Sequence, residues 1–110
     1  MKVETLSLTY TAESGVSVNY IVCYKMGNLI KLKVRVHLTE SKLNNNVIIR
    51  FNPNNFPSPK HESQALMKCI PGNGTNGVGC FYINQDSTNL QSWGVTSAGQ
   101  YYLADFTYLI

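Results

Sequence analysis

Charge is scarce in this chain. Only 14% of its 110 residues are Asp, Glu, Lys or Arg. A helical surface would draw on Glu, Lys and Ala, so the polar exterior must come from Asn, Ser, Thr and Gln, which suits sheet. No run of five Lys or Arg occurs, and the net charge of +3 is far from that of a polycation, so no nucleic-acid partner is expected. No stretch approaches the ~18 apolar residues of a membrane span. The opening Met1-Lys2-Val3-Glu4-Thr5-Leu6-Ser7-Leu8 lacks the continuous apolar segment of a secretory signal. Membrane insertion is therefore not expected, and assembly in the cytoplasm is. The cysteines are Cys23, Cys69 and Cys80. Their odd number and their spacing fit neither a disulfide framework nor C-x-x-C zinc ligation. A Cys69–Cys80 bridge would close a Gly-rich loop, but three reduced, mostly buried thiols are the simpler expectation.

Catalytic signatures are missing too. There is no G-x-S-x-G and no H-E-x-x-H. Gly72-Asn73-Gly74-Thr75-Asn76-Gly77-Val78-Gly79 is glycine-rich but has no Lys, and no helix follows, so a turn is expected rather than a phosphate cradle. His37 and His61 could meet one of three cysteines only by chance pairing. Asp86 and Asp105 with Glu4, Glu13, Glu40 or Glu62 show no spacing that favours a glycosidase pair. Asn84, Asp86 and Ser87 lack the Gly and Glu of a Ca²⁺ loop, so a solvated turn is expected. The sequence leads to a binding protein, not an enzyme, with no cofactor and no metal.

What the sequence does contain is alternation. In Asn28 to Leu38, Ile30, Leu32, Val34, Val36 and Leu38 are apolar, while Lys31, Lys33, Arg35 and His37 lie between them. On a strand these form one apolar and one positive face. Gly27-Asn28 before it suits a two-residue hairpin turn. That turn length predicts the register Met26–Leu29, Tyr24–Lys31, Val22–Lys33 and Tyr20–Arg35. Paired residues share a face, so Tyr20, Tyr24, Lys31, Lys33 and Arg35 should line one surface, and Ile21, Cys23, Leu32 and Val34 the other. Tyrosines stack on sugar rings and cations pair with phosphate, so the first surface suits an anionic glycan. A solvated outer face, with lysine stems lying over the tyrosines, or a subunit interface are the alternatives.

Elsewhere, residues 5–12 alternate as one half-buried strand and Val47–Phe51 reads as a short one. Asn52 to Pro59 holds three prolines and three asparagines, an ordered loop pinned by Phe56. Residues 63–70 are strand-like, Pro71 to Gly77 is an exposed turn, Val78 to Asn84 is a strand, and Asn84 to Ser87 turns. Trp93, the only tryptophan, suits either a core or interface plug or a sugar platform, with slight preference for the former. Asn73, Thr75, Asn76 and Gln85 are loop residues suited to sugar hydroxyls. The last ten residues are apolar on nearly both faces, which suits a central strand or one buried by another subunit. No helix, repeat or linker is evident. One all-β domain over 1–110 follows, an antiparallel β-sandwich or jelly roll.

An ordered set of motifs over Tyr20 to Ile110 resembles the C-terminal head domains of bacteriophage tail-fibre and baseplate proteins. Tyr24-Lys25-Met26-Gly27-Asn28-Leu29 is similar to their Y-x-x-G-N-hydrophobic hairpin. Asn54-Asn55-Phe56-Pro57-Ser58-Pro59 stands where they carry Leu-Pro-x-x-Phe/Tyr-x-Pro, with Asn54 a departure. Phe81-Tyr82-Ile83-Asn84-Gln85-Asp86-Ser87 is similar to I-Y-I-N-x-D-G, with Ser87 replacing the Gly. Phe106-Thr107-Tyr108-Leu109 is similar to F-S-F-T-Y-L. The resemblance implies a homotrimeric jelly-roll-like head at a virion tail tip, assembled in the bacterial cytoplasm. It would be a receptor-binding protein for host attachment through carbohydrate binding, to polysaccharide or teichoic acid. The chain's length is compatible with a head excised from a longer fibre. A monomeric carbohydrate-binding module of a larger hydrolase, or a structural trimerisation cap that binds no sugar, would share the fold class.

Overall fold

The computed structural model describes residues 2–42, 45–66, 68–70, 79–94 and 98–110; for 63–66, 68–70, 79 and 94 it describes the backbone alone. Among the described residues ten strands run in order: β1 (Val3–Leu6), β2 (Tyr10–Ala12), β3 (Val16–Met26), β4 (Leu29–Leu38), β5 (Asn46–Phe51), β6 (Ser63–Leu66), β7 (Lys68–Ile70), β8 (Gly79–Ile83), β9 (Asn89–Gly94) and β10 (Gln100–Leu109). No helix occurs among the described residues. The strands form two antiparallel five-stranded sheets, β1-β3-β4-β10-β7 and β2-β5-β9-β8-β6. The all-β, two-sheet architecture is as the sequence predicts.

The β3–β4 hairpin shows why. Gly27 takes a φ of 60° at the first turn position, where a two-residue type II′ turn takes glycine. The pairs Met26–Leu29, Tyr24–Lys31, Val22–Lys33 and Tyr20–Arg35 follow in the predicted register. Ile30, Leu32, Val34, Val36 and Leu38 are all at most 1% exposed, each contributing about 2 kcal/mol of gross burial. A bulge between Val18 and Tyr20 interrupts the pairing. The extra residue, Asn19, flips the side-chain parity, so Val16 and Val18 pack on the core before it and Ile21 and Cys23 after it.

Residues 5–12 are not one strand. β1 pairs with β3 in the first sheet and β2 with β5 in the second, so the chain changes sheets between Leu6 and Tyr10. Period-two alternation continues across such a corner, which is why the pattern conceals it. Residues 63–70 divide the same way: β6 pairs with β8, β7 with β10. The proline loop is ordered as expected. Phe56 stacks on Phe51 at 4.2 Å with rings 8° from parallel. Asn52 accepts from the Asn54 amide through its side chain and from the Phe56 amide through its carbonyl. Tyr108 donates to the Pro57 carbonyl at 2.8 Å. The terminal strand β10 is central in its sheet, between β4 and β7.

Two stability predictions arise here. Gly15 has a φ of 76°, and a Cβ there would lie 2.6 Å from Glu40 Cγ. Glu40 in turn accepts from the Ser14 hydroxyl, and Lys42 donates to the Ser14 carbonyl. Gly15→Ala should therefore lower the thermal midpoint, by a cost of about 1–2 kcal/mol, whereas Gly99→Ala meets no neighbouring atom and carries only its φ strain. The second concerns Cys23, a buried free thiol. Burial raises its pKa from 9.0 to about 11, and burial also raises that of Tyr108. The folded state holds these protons more tightly than the unfolded state does. Stability is thus complete below pH 9 and falls as pH rises from about 9 to about 11. Urea midpoints across that range should drop for the native chain and drop less for Cys23→Ala.

Candidate functional site: an aromatic, cationic groove

On the outer face of the first sheet, the rows set by strand register are Tyr24–Lys31–Thr107, Val22–Lys33–Asp105 and Tyr20–Arg35–Leu103. A groove of about 560 Å³ lies over them, bordered by Tyr20, Val22, Tyr24, Lys31, Lys33 and Asp105. Leu32 and Phe106 also border it. Both are only 1% exposed, so they contribute backbone to its floor. Tyr20 and Tyr24 are exposed at 37% and 42%, large aromatic walls open to solvent. The ammonium of Lys33 lies 3.8 Å from the Asp105 carboxylate. Both are exposed, so the pair contributes little to stability and serves mainly to set charge. The groove therefore holds two lysines and one carboxylate between two phenol rings. That arrangement can stack a sugar ring and pair an anionic group.

Four of the five residues expected on this face line the groove. Arg35 shares the face but turns to Tyr101, its guanidinium 5.2 Å from the ring centroid. His37 stacks on the same ring at 4.4 Å. Sequence reasoning missed Val22 and Asp105. Val22 was legible as the predicted partner of Lys33. Asp105 carried a signal of another kind, being the lone charge in a mostly apolar strand.

Trp93 is elsewhere, on the second sheet. Leu90 and Ser92 are fully buried and Trp93 is 50% exposed, so within this chain it is not a core plug. Gln85 is exposed in the β8–β9 turn, where Asp86 takes a φ of 57° and the Ser87 amide bonds the Asn84 carbonyl. Gln85 and Trp93 thus share a sheet that the groove does not touch. Asn73, Thr75 and Asn76 lie outside the described residues. On the same face as Trp93, Tyr82 pairs in register with Gln91, is buried and donates to the Asn45 side chain. Burial, and secondarily Glu62 and Cys80, raises the pKa of the Tyr82 phenol and keeps it a donor. Cys80, opposite Trp93 in register, carries a free thiol; the side chain of Cys69 is outside the described set. Among the described residues no group of three His, Cys, Asp or Glu is placed to hold a metal ion. Among the described residues no helix is long and apolar enough to cross a membrane. Comparison with protein-family models, curated proteins and solved structures finds no match to this chain.

Proposed function

We propose that this protein is the receptor-binding head of a bacteriophage tail fibre or baseplate, a homotrimeric jelly-roll-like β-sandwich that holds the virion on a host surface glycan. The observation that carries this reading is the groove, in which Tyr20 and Tyr24 flank Lys31 and Lys33 on the outer face of the first sheet. Polyanionic cell-wall polymers such as teichoic acid repeat a sugar or polyol with a phosphate. Rings would meet the tyrosines and phosphates the lysines. Three copies on one fibre would convert a weak site into firm attachment on a repetitive polymer.

An apolar row supports the trimer. Val3, Met26, Leu29 and Leu109 lie side by side in register across the first sheet. Val3 is 55% and Leu109 57% exposed. Burial of this row between copies would place the groove at the rim of the contact. Light scattering should give a mass near three times 12.3 kDa, and Leu109→Glu should reduce it to one. Binding of the folded protein to teichoic-acid-bearing cell walls is the direct test. Salt-sensitive binding by a trimer supports the reading. Binding by a strict monomer favours a carbohydrate-binding module of a hydrolase, and a trimer that binds no cell-wall fraction favours a structural cap.

A further inference from the structure

The second sheet carries an outward surface of different chemistry. Trp93, Gln91 and Asn89 alternate with the buried Leu90 and Ser92, so they share the outer face of β9. Trp93 is 50% exposed, more than any of the exposed tyrosines Tyr10, Tyr20 and Tyr24 at 43%, 37% and 42%. Beside it runs a chain of fixed amides. Asn84 Nδ2 donates to Gln91 Oε1 at 3.3 Å, and Gln91 Nε2 donates to the Asn45 carbonyl at 3.2 Å. Asn45 Oδ1 accepts from the buried Tyr82 hydroxyl, and the Asn45 amide bonds the Ser92 carbonyl at 2.7 Å. The Asn45 and Asn84 carboxamides are each oriented by one of these bonds and that of Gln91 by two, and each has at least one N–H that the relay does not use. The relay leaves the Asn84 side-chain oxygen unused as well.

We infer that this surface is a second carbohydrate site, one that stacks a neutral sugar ring on Trp93 and bonds its hydroxyls through Asn45, Asn84 and Gln91. The glycan class rests on the function proposed above; the site does not depend on the groove. A planar indole offers apolar area to the C–H face of a ring at little entropic cost. Oriented amides supply both donors and acceptors, the complement of a hydroxyl array. None of the four side chains is charged, and Arg50, opposite Asn89 in register, is paired with Glu13 at 3.2 Å, so a neutral sugar is the better fit. The head would then read two features of a glycan at once: its charge on one sheet and a neutral ring on the other.

Trp93 is the only tryptophan, so its emission reports on this site alone. The intact chain is titrated with maltotriose, mannotriose and chitotriose. At least one should shift the Trp93 emission to shorter wavelength, saturably, and protect it from iodide quenching. Calorimetry with the responding sugar should show affinity weakened about tenfold or more in Trp93→Ala. Asn84→Ala, at an exposed position, should weaken it severalfold. Trp93→Phe should retain most of the binding, and Lys31→Glu with Lys33→Glu should leave it unchanged. No emission response to any neutral sugar overturns the inference. If the chain still binds an anionic polymer, the proposed function survives that result; if it binds neither, both fall. Emission that shifts with protein concentration in the absence of sugar assigns Trp93 to a contact between copies and also overturns the site.

Discussion

Phe106→Ala is expected to remove about 3–5 kcal/mol of stability, a large share of the ~5–15 kcal/mol available to a domain. Phe106 is 1% exposed, central in β10 and paired in register with Leu32, itself 1% exposed. It packs in the cluster that also holds Phe81, Ile83 and Leu90 of the opposite sheet, so its loss opens a cavity between layers that both sheets would have to collapse to fill. Leu109→Ala on the same strand is the internal control. Leu109 is 57% exposed, and its truncation should change monomer stability by no more than about 0.5 kcal/mol. Urea unfolding of the two variants separates them. A Phe106→Ala cost below that of Leu109→Ala would mean that the two faces of β10 have been assigned the wrong way round. The same experiment bears on the site, because the backbone at Phe106 and Leu32 borders the groove.

How much of this was legible depended on how far apart in sequence the interacting residues lie. The β3–β4 hairpin was readable to the residue, because a two-residue turn fixes register mechanically and period-two alternation fixes the face. The pairing of β10 with β4 was not. Gln100 meets Leu38 and Leu109 meets Leu29 across a separation that no local rule spans, so Asp105 could not be placed opposite Lys33. The corner near Leu8 was invisible because alternation is indifferent to which sheet a residue faces from. The bulge between Val47 and Ile49 was hidden for a related reason. It lets both Ile48 and Ile49 point inward, and two adjacent isoleucines read equally well as a fully buried strand. Trp93 was drawn toward the core by its size, whereas Ser92 beside it is the residue that is buried. The amide relay joins Asn45, Tyr82, Asn84 and Gln91 from three separate segments, and only the fold brings them together.

Reversing charge at the groove is the most direct challenge to its assigned role. In Lys31→Glu with Lys33→Glu, two cations between the tyrosines become anions. A charge-assisted hydrogen bond contributes roughly 1.5–3 kcal/mol, so losing two and adding repulsion should weaken a poly(glycerol phosphate) ligand by about a hundredfold or more. Neither side chain packs in the core, and the Lys33–Asp105 pair at 3.8 Å is exposed, so the urea midpoint should barely move. Asp105→Asn should act in the opposite sense. It removes a carboxylate that borders the groove and frees Lys33, so the same ligand should bind a few times more tightly. Both changes must shrink as salt is raised, since exposed charges are screened within about 10 Å at 0.1 M. Tyr24→Ala should weaken binding in a salt-independent manner, because stacking carries no net charge. Opposite signs for lysine and aspartate variants, converging at high salt, identify an anion held by the groove. Equal losses for all of them would indicate instead that the face is covered by another subunit, with the groove serving shape and not charge.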